Sequence, residues 1–108
     1  MGKMKQSEPI WEAKFLLALS DRRSKGVRDI AVIMGMPIVG STTQMLLDPS
    51  APIRTRRFVE KIAKRLSKRG LIKSTWGSYK ITDAGLAWLQ GEGKEYAAQV
   101  LMGWLQDH

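Results

Sequence analysis

The segment RTRRFVEKIAKRLSKRGLIK, residues 54–73, constrains the fold more than any other part of the chain. At about 100° per residue, Phe58, Val59, Ile62, Ala63 and Leu66 gather on one side, while Arg54, Arg57, Lys61, Lys64 and Lys68 line the other. That pattern predicts an amphipathic helix over about 54–69, with Gly70 as its stop. Its apolar stripe must be covered by other elements, and its cationic back must face water or something negative. The segment holds nine Lys or Arg residues against one acid, Glu60. The whole chain, with 18 bases and 10 acids, has the same +8 excess, so everything outside this segment sums to zero.

After Gly70 the period changes. LIKSTWGSYKIT reads as two short β-prone runs around Trp76-Gly77, a hairpin over 71–82 whose glycine supplies a positive φ at the turn. Thr82 can cap a helix running through about Gln90, and GEG separates this from a last helix over 94–107. The last helix carries an apolar stripe of Tyr96, Ala97, Val100, Leu101, Trp104 and Leu105. Upstream, Pro9 opens a helix over about 9–20 in which Trp11, Phe15, Leu16 and Leu19 recur at helical spacing, with Ser7 or Glu8 as its cap. VRDIAVIMG makes a short second helix with Val27, Ile30, Ala31 and Met34 on one face and Gly35 as its stop. Between this helix and the basic one lies MPIVGSTTQMLLDPSAP, with three of the four prolines, where Ser41 can cap a turn or two through Leu47. The expected organisation is a loose tail over 1–8, one domain over 9–90 and a final helix within 91–108. The fold class is mainly α with a small β-hairpin (α+β), and Trp11, Tyr79, Ile81, Leu86 and Trp88 are expected in its core.

Several function classes find no support. No run of apolar residues approaches the roughly 18 needed to span a bilayer, and the polar start lacks a signal-peptide core. A cytoplasmic, nucleoid-associated protein is expected. There is no Cys, the single His is His108, and the carboxylates are scattered without an acid and base pair. The expectation is therefore no enzyme, no cofactor, no metal and no evident small-molecule effector. A pI near 10.1 points instead to a polyanionic partner.

Two stretches, LSKRGLIK and YKITDAGLAWL, carry a resemblance. Leu66, Lys68, Arg69, Gly70, Leu71 and Ile72, followed by Tyr79, Ile81, Thr82 and Gly85, resemble the end of the recognition helix and the returning wing of winged helix-turn-helix domains of the MarR or PadR type. The resemblance covers about residues 10–90, with its motifs in the second half. It implies a winged helix with an additional C-terminal helix, a third helix that enters the major groove of double-stranded DNA, and a hairpin that reaches phosphates or the adjacent minor groove. It also implies a small transcriptional regulator, and the stripe on the last helix suggests a homodimer. Plasmid partition, replication initiation, RNA binding and grip on an acidic protein are alternative uses of the same domain. One departure concerns spacing: Gly35 and Gly70 lie further apart than the family usually places them. Either 37–52 is an insertion ahead of the recognition helix, which we favour, or STTQMLL is itself the reading helix.

The resemblance and the charge pattern together give the expected contacts. Arg54, Thr55, Arg56 and Arg57 would reach base edges. Lys61, Lys64, Lys68, Lys73 and Lys80 would hold phosphates, with Trp76 and Ser78 on the wing. Ordinary solvated helices mix charge signs at i, i+4, whereas this one repeats the same sign and is destabilised by a few tenths of a kcal/mol per pair. A phosphate partner reverses that effect. Cations at the helix start also oppose the helix dipole. The plainer alternatives are a solvated helix face for the stripe, and for Trp76 a ring folded back on Tyr79 or the final helix.

Overall fold

A computed structural model describes residues 7–34 and 51–106, and among these the chain is mainly helical with a small antiparallel sheet. The elements are α1 (Ser7–Ala18), β1 (Lys25–Gly26), α2 (Val27–Ile33), α3 (Ala51–Lys68), β2 (Ile72–Thr75), β3 (Ser78–Ile81), α4 (Asp83–Gln90) and α5 (Lys94–Gln106). The expected turn through Ser41–Leu47, and with it the choice between an insertion and a second reading helix, lies outside the described residues. So do Gly35, most of the tail and His108.

Helix α1 is the hub. Its Phe15 and Leu16 are fully buried, as are Leu19 just beyond its end, Ile30 on α2 and Val59, Ile62 and Leu66 on α3. Each such side chain contributes roughly 1.5–3 kcal/mol by leaving water. Trp11 meets Phe58 edge-on, with ring centroids 5.1 Å apart, and Phe15 meets Tyr79 at 5.9 Å, so α1 touches both the basic helix and the sheet. The helix starts at Ser7, earlier than Pro9, so Ser7 and Glu8 lie inside it instead of ahead of it. It ends at Ala18, and Leu19 and Ser20 continue only as tight turns bonded to Leu16 and Leu17.

The basic helix is also longer than its charge pattern predicts, beginning at Ala51 instead of Arg54. Pro52 is the reason: its missing N–H costs nothing in a first turn and its ring presets the helical φ. Its far end follows the sequence closely. Gly70 takes φ +75°, the Leu71 N–H bonds Leu66 C=O at 3.0 Å and the Gly70 N–H bonds Ser67 C=O at 3.0 Å, the paired bonds of a Schellman stop.

The hairpin pairs Ile72 with Ile81, Lys73 with Lys80, Ser74 with Tyr79 and Thr75 with Ser78. Both turn residues are left-handed, Trp76 at φ +51° and Gly77 at φ +79°, as a two-residue hairpin with right-handed twist requires. A third strand was not legible in the sequence. β1 pairs with β3, Lys25 opposite Tyr79 and Gly26 opposite Ser78, giving the order β1-β3-β2. Lys25 fixes its approach: Nζ donates to Ala18 C=O at 2.7 Å and to both Asp21 carboxylate oxygens at 2.8 Å. That hydrogen bond from Lys25, with another from the Arg23 amide, holds the Asp21 carboxyl below the usual carboxylate range.

Thr82 closes the sheet onto α4. Its Oγ1 donates to Gly70 C=O at 2.7 Å and accepts from the Gly85 N–H at 3.1 Å, while its own N–H bonds Leu71 C=O at 3.1 Å. The turn after α4 is a packed corner, with Gly93 buried against the Trp88 ring and its N–H on Trp88 C=O at 2.7 Å. From there α5 returns along α1. Its stripe divides: Ala97 and Val100 are buried, Tyr96 and Trp104 are partly covered, and Leu101 and Leu105 are exposed, as is neighbouring Met102. Of the expected core, Ile81 and Trp88 are buried, and Trp11, Tyr79 and Leu86 pack at its edge.

Candidate nucleic-acid interface

The two faces of α3 separate cleanly. Thr55, Val59, Ile62, Ala63 and Leu66 turn inward, and Arg54, Arg57, Lys61, Lys64 and Lys68 are exposed along the opposite side. Arg57, Lys61, Lys64 and Lys68 form no ion pair among the described residues. Arg56 is exposed and approaches Glu60 one turn on, at 3.6 Å. Because the helix starts at Ala51, Arg56 and Arg57 fall in its second turn, where the dipole penalty has faded. The expected opposition between these two cations and the helix start is thereby corrected.

Thr55 is the expected contact that the structure removes from the surface. It is 8% exposed, and its spacing of four and seven residues from Val59 and Ile62 puts it on the core-facing stripe. A side chain there cannot reach a base edge while the helix stays packed.

On the hairpin, alternation assigns the faces. Ile72, Ser74, Tyr79 and Ile81 point towards the helices, and Lys73, Thr75, Ser78 and Lys80 point away. A groove of about 300 Å³ runs between α3 and the inner face, lined by Lys64, Ser67 and Lys68 on one side and Ser74 and Tyr79 on the other. Burial, reinforced by the nearby Glu60 carboxylate, pushes the Tyr79 hydroxyl above the usual phenol range, so the ring lines the groove as a neutral donor. Lys73 and Lys80 stand directly opposite each other on the outer face, both exposed. Like charges in that position destabilise a ladder, so the hairpin repeats the pattern of α3. Ser78, at the centre of the sheet, is partly covered. Trp76 at the turn is 99% exposed, and it does not fold back on Tyr79 or α5.

The sequence reading missed Glu12. Only 10% of its side chain is exposed, and its carboxylate accepts from Arg69 Nη1 at 2.7 Å and Arg65 Nε at 3.4 Å. One acid on α1 thus occupies two guanidiniums near the end of α3. The signal was present: Glu12 stands in register with Phe15, Leu16 and Leu19, and a carboxylate on a core-facing stripe needs a cation. The two arginines are structural ties, and the lysines beside them are left to the surface.

Among the described residues no group of three or more His, Cys, Asp or Glu is placed to hold a metal ion, and no helix is long and apolar enough to cross a membrane. Comparison with known proteins finds no matching family model, no matching curated protein and no matching solved structure.

Proposed function

We propose that this chain binds double-stranded DNA through the exposed face of α3 and the β2–β3 hairpin, as a small transcriptional regulator of winged-helix type associated with the nucleoid. The observation that carries the reading is the row Arg57, Lys61, Lys64 and Lys68, exposed at helical spacing with no ion pair among the described residues. A row of like charges is unfavourable alone and becomes favourable once phosphates lie against it. The order of elements supports the reading. α3 runs through a fixed Schellman turn into the hairpin, and β1 braces β3, so the helix and the wing keep one relative orientation. Arg54, Arg56 and Arg57 are the candidates for base edges, where a guanidinium matches guanine O6 and N7. The exposed Leu101, Met102 and Leu105 on α5 support a homodimer, which would let two copies read a two-fold site.

Anisotropy titration against duplex DNA, duplex RNA and an acidic protein at matched salt tests the reading. With about five cations of the stripe and wing each neutralising a phosphate, log K on duplex DNA falls against log salt with a slope of about −4 to −5 per protomer. Arg57→Glu abolishes binding and leaves the fold intact. A slope near zero on DNA, or tighter binding to RNA or the acidic protein, rejects it. Light scattering at micromolar concentration decides the assembly, and a strict monomer on and off DNA would reject the homodimer.

A further inference from the structure

The turn residue Trp76 combines two features that oppose ordinary folding. Its indole is 99% exposed, the most exposed large apolar side chain among the described residues. Its backbone is also left-handed, at φ +51°, a conformation that Gly, Asn and Asp adopt readily and a Trp does not. A hairpin selected only to close would carry a small polar residue there. The strain has a geometric result. With Thr75 and Ser78 paired directly beneath the turn, the ring stands at the end of a rigid stalk, and the outer face of that stalk carries the opposed Lys73 and Lys80.

We infer that Trp76 is a wedge that enters the minor groove of duplex DNA, partly unstacks one base step and bends the duplex. The inference rests on the DNA-binding reading above. An apolar ring flanked by cations fits a base step flanked by phosphates, because the lysines hold the backbone while the ring replaces part of a stacking contact. Partial insertion of aromatic and aliphatic side chains bends duplexes by about 20–90° towards the major groove. A bend of that kind would carry DNA around α3 and its row of cations. One exposed ring, with no other large apolar side chain on the hairpin's exposed surface, favours this occupant over a lipid surface.

The test uses the full chain and an end-labelled duplex of about 25 base pairs, reading the bend by energy transfer between the ends and affinity by anisotropy. The wild type shortens the end-to-end distance. Trp76→Phe keeps most of the bend, because a flat ring remains. Trp76→Asn, which suits the turn, loses the bend and still binds, with the salt slope unchanged. Indole fluorescence falls on duplex binding in the wild type, and most of that fall disappears in Trp76→Asn. An unchanged bend in Trp76→Asn, stronger quenching by single-stranded oligothymidine than by duplex, or a blue-shifted, enhanced indole emission on anionic phosphatidylserine vesicles that is lost in Trp76→Asn, overturns the wedge. Binding without any bend removes the wedge alone, whereas absence of duplex binding in the wild type removes the underlying reading with it.

Discussion

Gly85→Ala sets two effects of opposite sign against each other. Gly85 is the third residue of α4, and replacing a helical glycine with alanine ordinarily stabilises by up to about 1 kcal/mol. Here the added Cβ would overlap the Leu71 carbonyl oxygen and lie 2.6 Å from Ile81 Cγ1. The carbonyl is backbone and cannot rotate aside, so relief requires α4 to move off the base of the hairpin. Overpacking of this kind costs about 1–3 kcal/mol, with the upper end apt for a backbone neighbour. Loosening the bond from Thr82 N–H to that carbonyl, or from Gly85 N–H to Thr82 Oγ1, removes about 1 kcal/mol more. Against a propensity gain of about 1 kcal/mol, the net loss is about 2–3 kcal/mol. At about 4–8 °C per kcal/mol for a domain near this size, Tm drops by about 10–20 °C. Thermal and urea unfolding followed by circular dichroism measure it, with exposed Ala87→Gly on the same helix as a control that loses about 1 kcal/mol through propensity alone. Gly85→Ala at or above wild-type stability would show that α4 and the hairpin base do not approach this closely.

Three further perturbations read other parts of the structure. Glu12→Gln leaves Arg65 and Arg69 without their carboxylate. Because those guanidiniums are about a third or more exposed and regain water, the expected loss is about 1–2 kcal/mol in urea denaturation, short of that for a fully buried pair. Trp76→Asn relieves the left-handed strain and raises stability by about 1 kcal/mol, seen as a higher Tm; a lower Tm would mean that the ring is packed. For Tyr79, burial raises the folded-state pKa above the ordinary 10.0, so the folded chain keeps its proton where the unfolded chain loses it. Its contribution is fully present below pH 10 and is lost as pH rises through the folded value; Tyr79→Phe should flatten that decline in urea midpoints.

How far the sequence carried the fold depends on whether each signal was local. Gly70 stopping the basic helix, the turn at Trp76-Gly77 and Thr82 capping α4 are decided within a few residues, and the structure places them where the pattern does. β1 has no local signal, since Lys25-Gly26 is a strand only because β3 lies beside it and Lys25 is held by Ala18 and Asp21. The early start of α3 depended on weighing Pro52 as a first-turn residue instead of a breaker. At the candidate interface the charge count was legible but its partition was not. Glu12 lies 53 and 57 positions away from the arginines it binds. Thr55 was misplaced because its charged neighbours outweighed its register with Val59 and Ile62, which is the feature that buries it.

The strand order has a consequence for how crowded copies of the chain behave. With β3 in the middle, β1 and β2 are the edge strands among the described residues, and an edge strand is where a strand from another molecule can add as a template for fibril growth. One edge, β1, is only two residues long and offers too little backbone to recruit a partner. The other, β2, reads Ile72-Lys73-Ser74-Thr75, and an incoming copy in parallel register would have to stack Lys73 on Lys73 in every layer. A single ammonium therefore acts as a gatekeeper. Lys73→Val would convert residues 71–76 into an uncharged β-prone run on an edge strand, and concentrated solutions of that variant should bind thioflavin where the parent does not.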